Sequence, residues 1–244
     1  LALAANMVLA GSVAQAADLG RPVPAPVTAA YPVYPTLWSG LYAGANIGYG
    51  WGDTSGTYTV IGGFVPAPAG AFGSPDIDGL TAGGQIGYAW QTGQWVWGIE
   101  ADFDWSGIDG SHSNTYPGFF FGFLDLSVAS KVDVNWVSTV RGRVGWAPDR
   151  WHIYATGGIA FADFDVKIND SFLGSASDGS TRVGWTLGAG VEYALTDNWR
   201  LGLEYKYLDF GKETYTGPSF GPFTSSTKVD FNINDVSLRL NYRF

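Results

Sequence analysis

Glu100, Arg141, Arg143, Glu192, Arg200, Glu204 and Arg239 stand on the polar side of segments whose other side is apolar. Carboxylates and guanidiniums so placed can do one thing well. They pair through planar, two-pronged ionic hydrogen bonds. Counting up from the short connections, Glu100 lies about five residues up its segment, and Arg141 and Arg143 lie about six and four up the next. Glu204 and Arg239 lie level on the last two segments, about five residues up each. Acid and base therefore meet at one height, and Arg239 is expected to meet Glu204. Arg182, Lys206 and Arg243 would extend the network. Two uses are open: ion pairs that fill and lock a closed interior, or charged walls of a narrow path for ions or small solutes.

Other chemistry is poorly provided for. The chain has 2 histidines and no cysteine. His152 begins a segment beside Trp151, at an expected membrane interface, with no serine nucleophile near it. His112 lies in Asp109-Gly110-Ser111-His112-Ser113-Asn114, where Ser, His and Asp are sequence neighbours without fixed geometry. Lipid A deacylase barrels are similar in size only, since His112-Ser113-Asn114 does not match their His-x-Ser motif. No catalytic residue, metal set, phosphate loop or nucleotide motif stands out, and no cofactor is expected. The net charge of -9 argues against nucleic acid as a partner.

The elements that position these charges are strands. Side chains alternate faces along a strand, so a period of two gives one oily and one polar face. In the final residues, Val236, Leu238, Leu240, Tyr242 and Phe244 alternate with Asp235, Ser237, Arg239, Asn241 and Arg243. The same alternation marks strands at roughly 38–52, 77–91, 95–106, 130–147, 151–167, 180–195, 199–212 and 228–244. In the fourth, Val134, Trp136, Val140, Val144 and Trp146 oppose Asn135, Thr139, Arg141 and Arg143. In the last, Val229, Phe231 and Ile233 fall on the polar parity, which predicts a bulge or emergence from the bilayer near Asn234. Short turns follow the second, fourth and sixth strands. Longer intervals, roughly 53–76, 107–129, 168–179 and 213–227, follow the others.

Tryptophans mark two heights. Trp38, Trp90, Trp95, Trp146, Trp151 and Trp199 fall near the short turns, and Trp51, Trp105, Trp136, Trp185 and Tyr207 fall towards the long intervals. Indoles favour the headgroup layer, so two such levels bracket a bilayer. The fold expected is all-β, an eight-stranded antiparallel up-and-down transmembrane β-barrel, with short turns at the periplasm and long loops outside. A barrel of this size is filled by its own side chains. A soluble barrel of lipocalin type would have to turn the charges outward and the tryptophans inward.

Residues 1–16 are apolar and end in Ala14-Gln15-Ala16, the small-x-small pattern that closes a signal peptide. Residues 17–36 are proline-rich and predict an extended periplasmic leader, with the barrel at 37–244. Two long intervals carry aromatics: Tyr116-Pro117-Gly118-Phe119-Phe120-Phe121-Gly122-Phe123, and Gly217-Pro218-Ser219-Phe220-Gly221-Pro222-Phe223. Either the strands run on beyond the bilayer there, or 107–129 and 213–227 are contact surfaces for a host or surface partner.

The chain resembles the small porin-family outer-membrane barrels of Gram-negative bacteria, the outer-membrane immunogenic and opacity-like group. Trp38-Ser39-Gly40-Leu41-Tyr42-Ala43-Gly44, Tyr154-Ala155-Thr156-Gly157-Gly158-Ile159-Ala160, Val191-Glu192-Tyr193-Ala194-Leu195-Thr196-Asp197-Asn198-Trp199 and Leu240-Asn241-Tyr242-Arg243-Phe244 carry the resemblance. It implies a cell outer-membrane surface protein, in contact with outer-membrane lipid and lipopolysaccharide. It also implies that Tyr242 and Phe244 are read by the barrel-assembly machinery. The function expected is a structural and surface barrel that contributes to envelope integrity, its interior mostly plugged by salt bridges. The alternative is a narrow porin; a lipid-modifying barrel enzyme is the weaker third option.

Overall fold

The computed structural model describes residues 36–61, 76–120, 124–170, 174–220 and 223–244. The expected signal peptide and, apart from Thr36, the proline-rich leader lie outside the described residues. So do parts of the two aromatic intervals.

Eight strands follow one another: β1 (Gly40–Ile61), β2 (Asp76–Thr92), β3 (Trp95–Phe120), β4 (Leu124–Trp146), β5 (Trp151–Asp170), β6 (Gly174–Ala194), β7 (Trp199–Phe220) and β8 (Phe223–Arg243). Each pairs antiparallel with the next, and β8 closes on β1, through pairs such as Ala43 with Tyr242. Closure leaves no edge in the hydrocarbon, where an unpaired backbone group is expensive.

The short turns are tight. Gly93 has φ +63° and Asp149 has φ +53°, left-handed conformations suited to Gly and Asp. The lipid-facing side chains follow the sequence pattern closely. Ile47, Leu80, Ile86, Ile99, Val140, Ile159, Leu187, Leu203 and Leu238 are all exposed between the aromatic levels. Trp90 stacks on Trp97 at 4.8 Å, and Trp199 meets Tyr242 edge-on at 5.1 Å.

Two expectations are corrected, and one alternative is resolved. Trp38 does not join the lower girdle. It is 1% exposed and sits inside the barrel with Tyr42, Ala89, Val96, Ala147 and Ala194. It precedes β1, so strand alternation does not govern it. The fourth strand changes phase at Asn135. The ladder to β5 slips between Val134 and Trp136, so Val134 points inward and Asn135 outward. In the eighth strand, of the two readings, a bulge or emergence from the bilayer, emergence is the one that fits, since the strand keeps its phase. Phe231 and Ile233 are buried on the same parity as Asp235, Ser237 and Arg239. What changes along β8 is the chemistry of the interior, from charged to apolar.

That change marks the top of the bilayer. The strands run on through much of the intervals read as loops, because hydrogen-bonded pairing continues after the lipid-facing pattern stops. Here the wall is built like a soluble protein, with apolar side chains inside and charges outside. Asp109, Lys131, Asp133, Asp163, Asp165 and Lys167 face out, while Val132, Phe164, Val166 and Ile168 face in. One outward rung runs Asp78, Asp109, Asp133 and Asp165 across β2 to β5.

The upper barrel also flattens. Gly211 has φ +67°, and its N–H is held by Asp209 Oδ1 at 2.8 Å, forming a bulge that bends β7. Phe210 then lies 5.2 Å from Phe164 on β5, and Phe231 lies 4.7 Å from the same ring. The inner face of β5 thus packs directly on β7 and β8, as the layers of a sandwich do.

Candidate functional site

The lumen holds three layers. The lowest is Trp38, with Leu37 packed beside it. Its backbone N–H donates to Gln91 Oε1 at 3.1 Å, and Ser39 Oγ accepts from the Gln91 N–H at 2.9 Å. Arg200 lies over the Trp38 ring at 4.7 Å and donates to the Leu37 carbonyl at 2.6 Å. Arg243 donates to the Thr36 carbonyl at 2.7 Å. These two arginines therefore fasten the segment before β1 across the mouth, rather than joining the central ion pairs. His152 is buried too, 4.9 Å from the Trp38 ring and 3.6 Å through Nδ1 from Glu192 Oε2. It faces the lumen, not the interface expected for it, because it shares the inward parity of Tyr154 and Thr156.

The middle layer is a ring of four ions. Arg141 reaches Glu100 at 2.8 Å and Glu204 at 2.7 Å. Arg239 reaches Glu204 at 2.5 Å and Glu100 at 2.7 Å. Each charge touches both of its opposites, and all four residues are about 2% exposed or less. Arg143 adds contacts to Glu100 and Glu192, both at 3.1 Å. Taking ions out of water costs several kcal/mol each, so such a cluster persists only when every charge is multiply partnered.

Two tyrosines absent from the sequence expectation complete the ring. Tyr42 OH donates to Glu100 Oε2 at 2.7 Å, and Tyr154 OH donates to Glu204 Oε2 at 2.8 Å. The register explains both. Tyr42 pairs with Gly87, which pairs with Glu100. Tyr154 pairs with Gly190, which pairs with Glu204. In each case the tyrosine lies across the glycine to reach the acid two strands away. A Cβ on Gly87 would stand 2.4 Å from the Tyr42 hydroxyl, and one on Gly190 2.5 Å from that of Tyr154. The rung Tyr–Gly–Glu, followed by an arginine strand, occurs twice around the wall. An inward Gly between Tyr and Glu at one height is the sequence signal that reveals it.

Above the ring, Lys206 gathers Asp104 at 3.0 Å, Asp235 at 3.5 Å and Asp102 at 3.8 Å. Asp102 also takes Arg141 at 2.8 Å and the Thr139 hydroxyl at 2.5 Å. Asn46 donates to Asp104 at 2.8 Å and Thr81 to Asp235 at 2.8 Å. The third layer is apolar: Ile77, Ile108, Val132, Leu208, Ile233 and the three phenylalanines. Arg182 belongs here, with its guanidinium 4.4 Å from the Phe231 ring.

The serine–histidine–aspartate neighbourhood at 109–114 is a strand, not a loop. Alternation turns His112 one way and Asp109, Ser111 and Ser113 the other. These residues cannot hydrogen-bond as a triad. Among the described residues, no group of three or more His, Cys, Asp or Glu could hold a metal ion. Tyr242 and Phe244 lie on the lipid side, 5.2 Å apart, beside Trp199.

This architecture agrees with the comparisons. Residues 3–244 match the family described as outer membrane protein beta-barrel domain. The chain belongs to that family. It is similar to the 31 kDa outer-membrane immunogenic protein of Brucella melitensis, 35% identical over 259 residues, covering 99% of this chain and 98% of the relative. It is also similar to a 22 kDa outer membrane protein of Rhizobium leguminosarum bv. viciae, 34% identical over 87% of this chain and 82% of the relative. Among solved structures, Neisserial surface protein A covers 84% of this chain and 98% of its own, at 13% identity and a TM-score of 0.41. Within its membrane span, this outer-membrane β-barrel protein has its lipid face outside and its charges within.

Proposed function

We propose that this chain is a closed structural barrel of the outer-membrane surface, one that strengthens the envelope and conducts no solute. The observation that carries the reading is the stacking of three lumen layers. A solute would have to displace Trp38, break the Glu100–Arg141–Glu204–Arg239 ring, and part Phe164 from Phe210 and Phe231. Ion pairs in a low dielectric with several partners each do not open without large cost. The protein is not an enzyme on this reading, since the buried acids Glu100, Glu192, Glu204 and Asp104 are each paired with an arginine or lysine in the lumen. Tyr242 and Phe244 serve as the assembly signal, and outer-membrane lipid and lipopolysaccharide surround the girdles. A surface partner engages the strands above the bilayer.

Proteoliposomes test this. Vesicles carrying the full chain should swell in isotonic small sugars no faster than empty ones. Swelling that scales with protein content would make it a porin.

A further inference from the structure

Above the outer aromatic level, β6 lacks one neighbour among the described residues. The β6–β7 ladder runs from Ala194–Arg200 up to Trp185–Asp209 and stops. From Gly174 to Gly184, β6 pairs with β5 alone, while β7 beyond the Gly211 bulge pairs with β8 alone. The cause is the bend already described. The last pair, Trp185–Asp209, stands at the Asp209–Gly211 bulge of β7. Among the described residues, the upper β6 edge therefore offers backbone donors and acceptors with no strand beside them.

Natural edges of this kind are guarded by Lys, Pro, bulges or a cover. The β7 edge is guarded: it has the bulge and Lys212. The β6 edge reads Gly174-Ser175-Ala176-Ser177-Asp178-Gly179-Ser180-Thr181-Arg182-Val183-Gly184, with neither Lys nor Pro and with one inward charge, Arg182, near its lower end. Beside Gly179 and Thr181 its outer face is acidic, with Lys167 one rung further on against Ser177. A Cβ on Gly179 would lie 2.5 Å from Asp165 Oδ1, so that carboxylate leans across Gly179 towards the edge. Thr181 donates to Asp163 Oδ1 at 3.4 Å, and Asn135 donates to both aspartates at 3.0 Å.

We propose that the β6 edge from Gly174 to Gly184 is a docking site for an extended peptide of a surface partner, which adds as a strand and places basic side chains over Asp165 and Asp163. Main-chain hydrogen bonds supply the binding and the alternate side chains supply selectivity. Charge complementarity selects a proline-free basic segment, with Lys or Arg on every second residue. A second copy of the barrel would bring the same aspartates against each other, which disfavours pairing of two β6 edges. The proposal rests on the reading that this end faces outside the cell.

The test uses the full chain in detergent and two synthetic decapeptides of equal charge, one alternating Val and Lys, the other alternating Pro and Lys. The Val–Lys peptide should bind at least about tenfold tighter and slow amide exchange in 174–184, because only it can extend a ladder. Gly179→Lys should abolish that difference, and Asp165→Asn should weaken binding and reduce its salt dependence. Equal binding of the two peptides, or no protection in 174–184, overturns the proposal. Protection of the edge without peptide, together with Ser177→Cys crosslinking of two copies, overturns it in favour of self-association. Labelling of Ser177→Cys on intact cells by an impermeant maleimide reads the orientation separately. A labelled edge that binds no peptide defeats the docking site alone.

Discussion

Glu100 and Glu204 occupy equivalent corners of one ionic ring. Each lies at the end of a Tyr–Gly–Glu rung and each contacts both Arg141 and Arg239. They stand four strands apart on the wall, so the ring ties β3 and β4 to β7 and β8 through the lumen. The seam between β8 and β1 therefore has its hydrogen-bonded ladder and also a cross-barrel clamp behind it.

Removing either acid should loosen the whole barrel. Glu204→Gln leaves two buried guanidiniums short of a partner, and losses of this kind run to about 3–5 kcal/mol. Glu100→Gln should cost a similar amount. The double variant should cost less than the sum, because both acids serve the same pair of arginines. The temperature at which the folded band converts to the unfolded one on an unboiled gel measures all three.

Tyr42→Phe should cost more than Tyr154→Phe, because the Tyr42 hydroxyl also accepts from Arg143 Nη1 at 2.9 Å. Each deletes one hydrogen bond to an ionised acid, of the order of 1.5–3 kcal/mol. Gly190→Val should be worse than Tyr154→Phe, because the added side chain displaces the ring as well as its hydroxyl. Denaturant midpoints in detergent rank them; equal effects would argue against the close approach at Gly190.

Trp38 seals the lower mouth. In the wild type, His152 should resist diethyl pyrocarbonate added from the short-turn side. Trp38→Ala should make it reactive while the gel shift survives. Mass spectrometry separates its peptide from that of His112. A His152 that reacts equally in both proteins would show that Trp38 is no seal.

The outward rung Asp78–Asp109–Asp133–Asp165 sets like charges directly opposite one another, an unfavourable arrangement. Lys131 offsets part of it, at 2.5 Å from Asp133 and 4.0 Å from Asp109. Asp109→Asn should stabilise the fold slightly, by less than about 1 kcal/mol, with a smaller gain at high salt. A clear destabilisation would mean that Asp109 matters more to Lys131 than its neighbours matter to it.

The membrane-spanning half was legible because lipid imposes one rule on every strand. Alternation from Leu41 to Trp51, or from Leu201 to Tyr207, identifies strand, face and height together. Above the bilayer that rule lapses. Both faces of Ser111-His112-Ser113-Asn114 are polar, so the strand there leaves no pattern, although its ladder to β4 continues. The reversal at Phe231 and Ile233 comes where the outer face of β8 meets water rather than lipid, so parity alone does not separate a bulge from emergence. Of the site residues, those on regular strands could be placed by counting. Trp38 could not, since it lies outside any strand. Nor could the Asn135 bulge, whose single extra residue inverts every side chain above it on β4.

The closed lumen is tested most directly by single-channel recording of the full chain in planar bilayers. The account predicts a silent membrane at moderate voltage for the wild type and for Glu204→Ala, since Trp38 and the phenylalanine layer remain in place in both. Stable, reproducible current steps from the wild-type protein, altered in size by Glu204→Ala, would contradict it and establish a conducting path through the ionic ring.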